Sequence, residues 1–153
     1  PVYLKYESSL EQDLHLLRFD KDQFNRFEVG QKISTDWILD YIKKPQQKLN
    51  PKIITAFAEI VNDSSIDDHM KSLLLSAPTE SVLHQRQNPV NFKATKEARA
   101  YFLDEMASAF EAQFLKIYND LKDKTKGGFK SEKVGPRALK NMALGYLARL
   151  GEN

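Results

Sequence analysis

The residues best suited to metal chemistry are the three histidines, His15, His69 and His84. In a zinc-binding H-E-x-x-H motif, two imidazoles lie four residues apart on one helical face, where both reach the same ion. Here each histidine lies more than ten residues from the next, and the motif does not occur. The spacing therefore predicts surface or half-buried histidines, with a zinc site assembled from distant positions as the less favoured alternative.

Other reactive groups are missing or arranged for a structural role. The chain has no cysteine, which excludes disulfides and thiolate metal sites, and it has no nucleophile elbow and no Gly-rich dinucleotide motif. Its candidate carboxylates are the adjacent pairs Asp67-Asp68 and Asp104-Glu105 and the single Glu111. On helices such groups usually face solvent or favour the dipole of the first turn. We therefore assign no catalytic, cofactor-binding or metal-binding residue.

The segment at residues 122–133 reads KDKTKGGFKSEK and interrupts the helical pattern at Gly127 and Gly128. A glycine-rich, lysine-rich loop could bind phosphate, but a Walker pattern is absent and no helix follows directly. The favoured prediction is a mobile, solvated loop.

Polar residues also occur close to an apolar stripe, at Arg26, Glu28 and Gln31. An unsatisfied polar group costs about 1–3 kcal/mol when it is buried. We therefore predict that Arg26 binds a carboxylate or the helix-end carbonyls of a neighbouring hairpin. A direct contact with substrate is the alternative.

Hydrophobic periodicity predicts an all-α fold, an irregular, superhelical and solenoid-like array of antiparallel helical hairpins. One N-terminal strand precedes it at residues 1–7, where Val2, Leu4 and Tyr6 alternate with polar or charged neighbours. A single strand cannot satisfy its own ladder. Together with a start at Pro1 and an end directly after a periodic helix, this predicts a piece of a longer protein.

The predicted helices have distinct apolar stripes. A capping box at Ser9 opens the first, Asn50-Pro51 starts the third, and two short helices follow at residues 67–76 and 79–85. The helix at 21–43 is predicted to bury Phe24, Phe27, Ile33, Trp37, Ile38, Tyr41 and Ile42. The third helix is predicted to bury Ile53, Ile54, Phe57, Ile60 and Val61. A helix at 92–121, ~40 Å long, is predicted to bury Phe102, Leu103, Met106, Phe110, Phe114, Ile117 and Leu121. The last helix covers 136–150 and is predicted to bury Leu139, Met142, Ala143, Tyr146, Leu147 and Leu150.

Composition limits the remaining choices. The 153 residues suit one domain, and a formal net charge of +2 is too small to predict nucleic acid or an acidic membrane as partner. No apolar run approaches the ~20 residues of a membrane span, and no signal peptide is visible.

Several motifs in order resemble the bacterial zinc aminopeptidase N family of the Gram-negative type. PVYLKYE before a helix, DQFNRFEVGQ, LLLSAPTESVL, NPVNFKATKEAR, FLKIYND and GPRALKNMALGYL follow the family's order over essentially the whole chain. Phe27 stands where that family usually has Trp, Val29 where it has Ala, and Ala77 replaces a Leu. These departures indicate a divergent member with the same fold.

The resemblance implies a division into residues 1–7, the last strand of a missing β-sandwich domain, and residues 8–153, the first part of a C-terminal helical domain. It also implies a cytoplasmic zinc enzyme that releases N-terminal residues from peptides. The motifs that bind zinc and the substrate amine in that family do not occur here. Zinc would then belong to the parent enzyme, and this chain would cover the active-site cleft and support domain geometry, partnered by the catalytic and β-sandwich domains.

A rival hypothesis is a free-standing helical module that binds other proteins or peptides through a groove or a strand edge. The open reading frame beyond both ends discriminates the two, since an upstream H-E-x-x-H motif would indicate the peptidase.

Overall fold

A computed structural model describes residues 8–128 and 130–151, and all regular structure in these ranges is helical. It contains α1 (Leu10–Phe19), α2 (Gln23–Lys43), α3 (Pro51–Asn62), α4 (Asp68–Leu74), α5 (Glu80–Gln85), α6 (Phe92–Ala109), α7 (Glu111–Leu121), a 3₁₀ turn (Ser131–Lys133) and α8 (Val134–Leu150). The predicted all-α class is confirmed. The strand predicted at residues 1–7 lies outside the described residues.

Most helices begin at a side-chain cap that the sequence supplies locally. Ser9 forms the predicted capping box with Gln12, and Asn50 accepts the backbone N–H of Lys52 ahead of Pro51. Other caps are Asp22, Asp67, Thr79 and Asn91. Each such cap stabilises its helix by about 1 kcal/mol, which explains why most of these helix starts follow the local sequence closely.

The first hairpin consists of α1 and α2, which run antiparallel at close range. A Cβ built on Gly30 would lie 3.3 Å from Leu17 Cδ1, so the glycine allows the two helices to approach each other. One turn of α1 before Leu17, the buried carboxylate of Asp13 accepts a hydrogen bond from the ammonium of Lys32 at 2.7 Å. The close packing of α1 on α2 therefore favours glycine at position 30.

The third helix packs beside α1 and runs parallel to it. Arg18 donates to Glu59 from Nη2 at 2.6 Å, and Lys52 pairs with Glu11 at the other end of the contact. All four of these side chains are substantially exposed, so each pair contributes only about 0–1 kcal/mol. The apolar contacts of Ile53, Phe57 and Ile60 account for most of the stability of this layer.

The long helix predicted for residues 92–121 is wrong as a single rod. Phe110 has φ −122° and ψ 21°, outside the helical region, and separates α6 from α7. The break lets α6 pack on α2 while α7 packs on α8. Phe110 is 1% exposed, so the apolar stripe continues through a change in helix direction.

The last hairpin joins α7 to α8, and α8 also contacts α4 and α6. The rings of Phe114 and Tyr146 stack with centroids 4.6 Å apart and an interplanar angle of 8°. α8 begins at Val134, two residues before the predicted start. In the described ranges no helix is long and apolar enough to cross a lipid bilayer.

One predicted core residue is wrong. Phe24 is 63% exposed, although it was expected on the buried face of α2. It lies in the first turn of α2, next to the 20–22 connection, where α1 has already ended at Phe19. Phe19 is exposed at the same end, so this end of the hairpin presents two aromatic rings to solvent.

Candidate functional site

Polar side chains hydrogen-bond to backbone carbonyls at the ends of neighbouring helices. The last four carbonyls of a helix have no donor within that helix. We use the term carbonyl clamp for a hydrogen bond from a side chain of another element to a backbone carbonyl in the last turn of a helix or in the connection that follows it. The guanidinium of Arg26 donates from Nε to the Leu17 carbonyl, in the last turn of α1, at 2.9 Å. The residue is 8% exposed. The predicted structural clamp by Arg26 is confirmed, but its acceptor lies in the same hairpin rather than in a neighbouring one. Glu28, two residues on, is exposed.

Three carbonyl clamps from three helices end on the connection between α4 and α5. Gln31 of α2 donates to the Ser76 carbonyl at 2.8 Å, Arg99 of α6 to the Pro78 carbonyl at 2.7 Å, and Tyr146 of α8 to the Leu75 carbonyl at 2.7 Å. A neutral hydrogen bond contributes about 0.5–1.5 kcal/mol, and one from a charged group about 1.5–3 kcal/mol. The connection is thereby fixed relative to α2, α6 and α8 at once.

A fifth carbonyl clamp uses a buried amine. Lys71 donates to the Val61 carbonyl, near the end of α3, at 3.2 Å. Burial lowers the pKa of Lys71, while the nearby carboxylates of Asp63 and Asp68 oppose that change. The ammonium is therefore held by its carbonyl partner and two nearby acids rather than by a direct ion pair.

The glycine-rich loop is more ordered in its bonding than a free solvated loop. The guanidinium of Arg137 donates from Nη2 to the carbonyls of Gly127 and Gly128 at 2.6 and 2.8 Å, and from Nε to that of Thr125 at 3.2 Å. Gly127 has φ +93°, a conformation that side chains disfavour. The loop is charged and largely exposed, as predicted, and three of its carbonyls accept hydrogen bonds from Arg137 of α8.

The histidines lie apart and contact aromatic rings rather than one another. His15 lies 5.0 Å from the ring of Phe19, and His84 packs edge-on against Phe92 at 4.7 Å. His69 is exposed near the start of α4. Across the ranges that the structure describes, no group of three or more histidines and carboxylates is placed to hold a metal ion.

The carboxylates have mixed roles. Asp67 caps α4, Asp68 lies in its first turn, and Glu111 lies in the first turn of α7, as predicted. Asp104 was expected on a solvated face, but it accepts from Arg149 Nε of α8 at 2.6 Å. The neighbouring Glu105 carboxylate helps burial to raise the pKa of Tyr101.

Two of the concave surfaces in the described part of the chain lie beside these contacts. The first, of about 550 Å³, lies next to α1, α2 and α3 and includes the Lys32 ammonium between Asp13 and Asp36. Burial lowers the pKa of Lys32, but hydrogen bonds to the two carboxylates outweigh that effect and raise it. The Lys32 ammonium of this cleft is thus neutralised by two neighbouring acids.

The second concave surface, of about 350 Å³, lies between α6, α8 and the connection that follows α4. We call it the Arg99–Arg149 groove; it is lined by Ser76, Ala77, Arg99, Leu103, Met142, Gly145, Tyr146 and Arg149. Among the described residues its lining contains two guanidinium groups and no acid, and the Arg149 guanidinium is paired with Asp104 just outside the groove. Burial raises the pKa of the Tyr146 hydroxyl, and the charges of Arg99 and Arg149 oppose that rise, so both guanidiniums act at this point.

Sequence reasoning did not identify the residues of this groove. Tyr146 was expected in the buried stripe of α8, and a buried hydroxyl requires a partner, which is the signal that could have led to Leu75. Arg99 and Arg149 gave no signal, because arginines on amphipathic helices are usually solvated. Gly145 was not considered either.

The fold is therefore an irregular array of packed helical hairpins held by carbonyl clamps, the class of helical repeat domains. The chain belongs to the family described as "Domain of unknown function (DUF3458_C) ARM repeats", which matches residues 10–153.

Relatives of known identity place this family within larger proteins. The chain is 26% identical to Aminopeptidase N of Haemophilus influenzae over its full length, and 24% identical to that of Escherichia coli over 97% of its length. It spans 18% and 17% of those two proteins. The fold matches Legionella pneumophila aminopeptidase A, solved in complex with aspartic acid, with a TM-score of 0.81 and 22% identity over 97% of this chain and 18% of that one. The chain is thus homologous to the C-terminal helical domain of aminopeptidases.

Proposed function

We propose that this chain is a non-catalytic helical part of a zinc-dependent aminopeptidase that removes N-terminal residues from peptides. The observation that carries this proposal is the coverage: nearly all of this chain aligns with less than a fifth of each Aminopeptidase N. A segment that aligns throughout with one part of an enzyme contributes to that enzyme's architecture. The same reasoning extends the cytoplasmic location of the proposed parent to this chain.

The described residues do not fit a zinc site of their own. Structural and catalytic zinc ions need three or four protein ligands converging on one point, and no such group of histidines and carboxylates is present in residues 8–128 and 130–151. In the proposed enzyme the metal and the catalytic groups therefore belong to other domains. This chain supplies a rigid surface against them.

Its proposed role is to cover the active-site cleft and to fix the geometry between domains. Residues 1–7 would complete a β-sandwich domain, and residues 8–153 would begin the helical domain. A cover must keep its shape while substrates enter and leave. The clamps from α2, α6 and α8 onto one connection support that role, because they join four parts of the array through hydrogen bonds.

A chimera tests the proposal. The matching segment of Escherichia coli Aminopeptidase N is replaced by this chain, and in a control enzyme it is replaced by a flexible Gly-Ser linker of equal length. Hydrolysis of alanyl-p-nitroanilide, of a ten-residue peptide and of the N-terminus of a folded protein is then measured. We expect the chimera to cleave the two small substrates and to spare the folded protein.

The linker enzyme should lose this selectivity by size, cleaving the folded protein at a rate closer to that of the peptide. Circular dichroism identifies a linker enzyme that fails to fold, in which case the chimera is compared with the native enzyme alone. A folded chimera without activity on the small substrates would contradict the proposal. Zinc-dependent hydrolysis by the isolated chain would contradict its non-catalytic character.

A further inference from the structure

We propose that the Arg99–Arg149 groove binds the carboxyl terminus of a short peptide, with the carboxylate at the guanidinium of Arg99 and the last, apolar side chain beside α8. This inference concerns binding by the chain itself. It does not depend on the role as a cover, and it is tested without any catalytic domain.

The charges of the groove favour a carboxylate. Arg99 uses Nε to donate to the Pro78 carbonyl, and that bond fixes the plane of its guanidinium. Among the described residues, its two terminal nitrogens donate to no other protein group, so they remain available to solvent or to a ligand. The neighbouring Arg149 guanidinium already donates to Asp104 and to the Ala100 carbonyl at 3.2 Å, so the ligand carboxylate is assigned to Arg99. Guanidinium groups bind carboxylates through paired hydrogen bonds.

The opposite side of the groove is apolar and open. Leu103 of α6 and Met142 of α8 line it together with Gly145. A Cβ built on Gly145 would meet no atom within 4 Å, so the absence of a side chain there leaves free space rather than relieving a contact. Methionine adapts its shape to different apolar partners. A glycine inside a helix lowers helix stability relative to alanine, and at Gly145 it leaves this free space beside Leu103 and Met142.

Size and composition favour a peptide terminus among anionic ligands. A volume of about 350 Å³ lies at the small end of ligand sites, which suits one or two residues. Inorganic phosphate would leave Leu103 and Met142 without a partner. A carboxylate attached directly to an apolar side chain satisfies both sides of the groove.

The test uses ¹⁵N nuclear magnetic resonance of the whole chain with two probes, acetyl-alanyl-leucine as the free acid and as its C-terminal amide. Binding is followed at the Gly145 amide and at the Nε–H signals of Arg99 and Arg149. We expect saturable shifts with the acid and at least tenfold weaker binding of the amide. Raising the salt from 0.05 to 0.5 M should weaken binding of the acid, because salt screens the charges.

Two substitutions at one position provide the matched control. Gly145→Phe places a ring in the groove and should reduce affinity for the acid at least tenfold. Gly145→Ala adds a single methyl group, should leave affinity within about threefold, and should raise the thermal midpoint. Arg99→Gln removes the charge and should remove the preference for the acid over the amide.

Equal binding of acid and amide would overturn the proposal, as would affinity that Gly145→Phe leaves unchanged. The main competing occupant of the groove is a second copy of the chain, and sedimentation of the chain alone tests for it. If neither peptide binds and Gly145→Phe turns a dimer into a monomer, the groove is a contact between two copies of the chain, and the assignment to a peptide is refuted.

Discussion

Replacing Arg26 with methionine removes one carbonyl clamp and leaves most of the apolar stem in place. Arg26 is 8% exposed and its Nε donates to the Leu17 carbonyl at 2.9 Å. A hydrogen bond from a charged group contributes about 1.5–3 kcal/mol, and a buried carbonyl without a donor costs a comparable amount. Methionine occupies a volume similar to the arginine stem, so little of the loss should come from packing. We expect Arg26→Met to lower the free energy of unfolding by about 2 kcal/mol.

The measurement is urea unfolding followed by circular dichroism at 222 nm. Arg86→Met is the matched control, because Arg86 is exposed at the end of α5 and the same chemical change there should alter stability by less than about 0.5 kcal/mol. The slope of free energy against urea should be the same for both variants, which ensures that the difference reflects stability. If the two variants lie within 0.5 kcal/mol of each other, the Leu17 carbonyl does not need this donor and the clamp argument is refuted.

Three further predictions concern the core, the alkaline limit and the glycine-rich loop. Phe110→Ala should lower the free energy of unfolding by about 3–5 kcal/mol in the same urea assay because the side chain is 1% exposed. Phe24→Ala, at a residue that is 63% exposed, should lower it by less than about 1 kcal/mol. Similar losses for the two variants would mean that the buried face of these helices has been assigned incorrectly. Burial raises the pKa of Tyr146 above that of the unfolded chain, so its contribution to stability should be complete below about pH 10 and fall as the pH rises further. Tyr146→Phe should lower the free energy of unfolding by about 1 kcal/mol at pH 8 and should show a smaller decline in that free energy between pH 9.5 and 11. Parallel declines in the variant and the unmodified chain would refute the assignment. Gly127→Ala should lower stability by about 1–2 kcal/mol because the φ angle of Gly127 is +93°. Gly128→Ala, where an added Cβ meets no atom within 4 Å, should be nearly neutral in thermal unfolding. Equal effects of the two substitutions would contradict the role of the Gly127 conformation.

Local signals in the sequence predicted the starts of helices accurately. Ser9 with Gln12, and Asn50 with Pro51, are neighbours whose side chains and backbone satisfy each other within one turn. Nothing outside that turn is needed for the cap to form. The same holds for the apolar stripe of α3, which is buried along Ile53, Phe57 and Ile60.

The break at Phe110 was not predictable from the same information. Periodicity records which residues are buried, and Met106, Phe110 and Phe114 are all buried across the break. It does not record the direction of the helix axis. No proline or glycine marks the position. Both helices pack on α8, and α6 also packs on α2, so the break follows from tertiary contacts that periodicity does not record.

Carbonyl clamps were predictable only when donor and acceptor lie close in sequence. Arg26 reaches a carbonyl nine residues away within one hairpin, and its position beside the stripe of α2 indicated a buried partner. Gln31 reaches across 45 residues and Tyr146 across 71. Their donors are visible in the sequence, but their acceptors are backbone atoms, which carry no residue-specific signal.

The distant clamps explain how the shortest helices remain in place. α4 and α5 contain seven and six residues, too few to be stable as isolated helices. Their connection is held by donors from α2, α6 and α8, so its position is set by the long helices rather than by its own sequence. Two of those donors, Arg99 and Tyr146, also line the Arg99–Arg149 groove. The contacts that stabilise the array therefore also define the shape and charge of this groove, and a ligand in it would be held by side chains whose orientation the fold has already fixed.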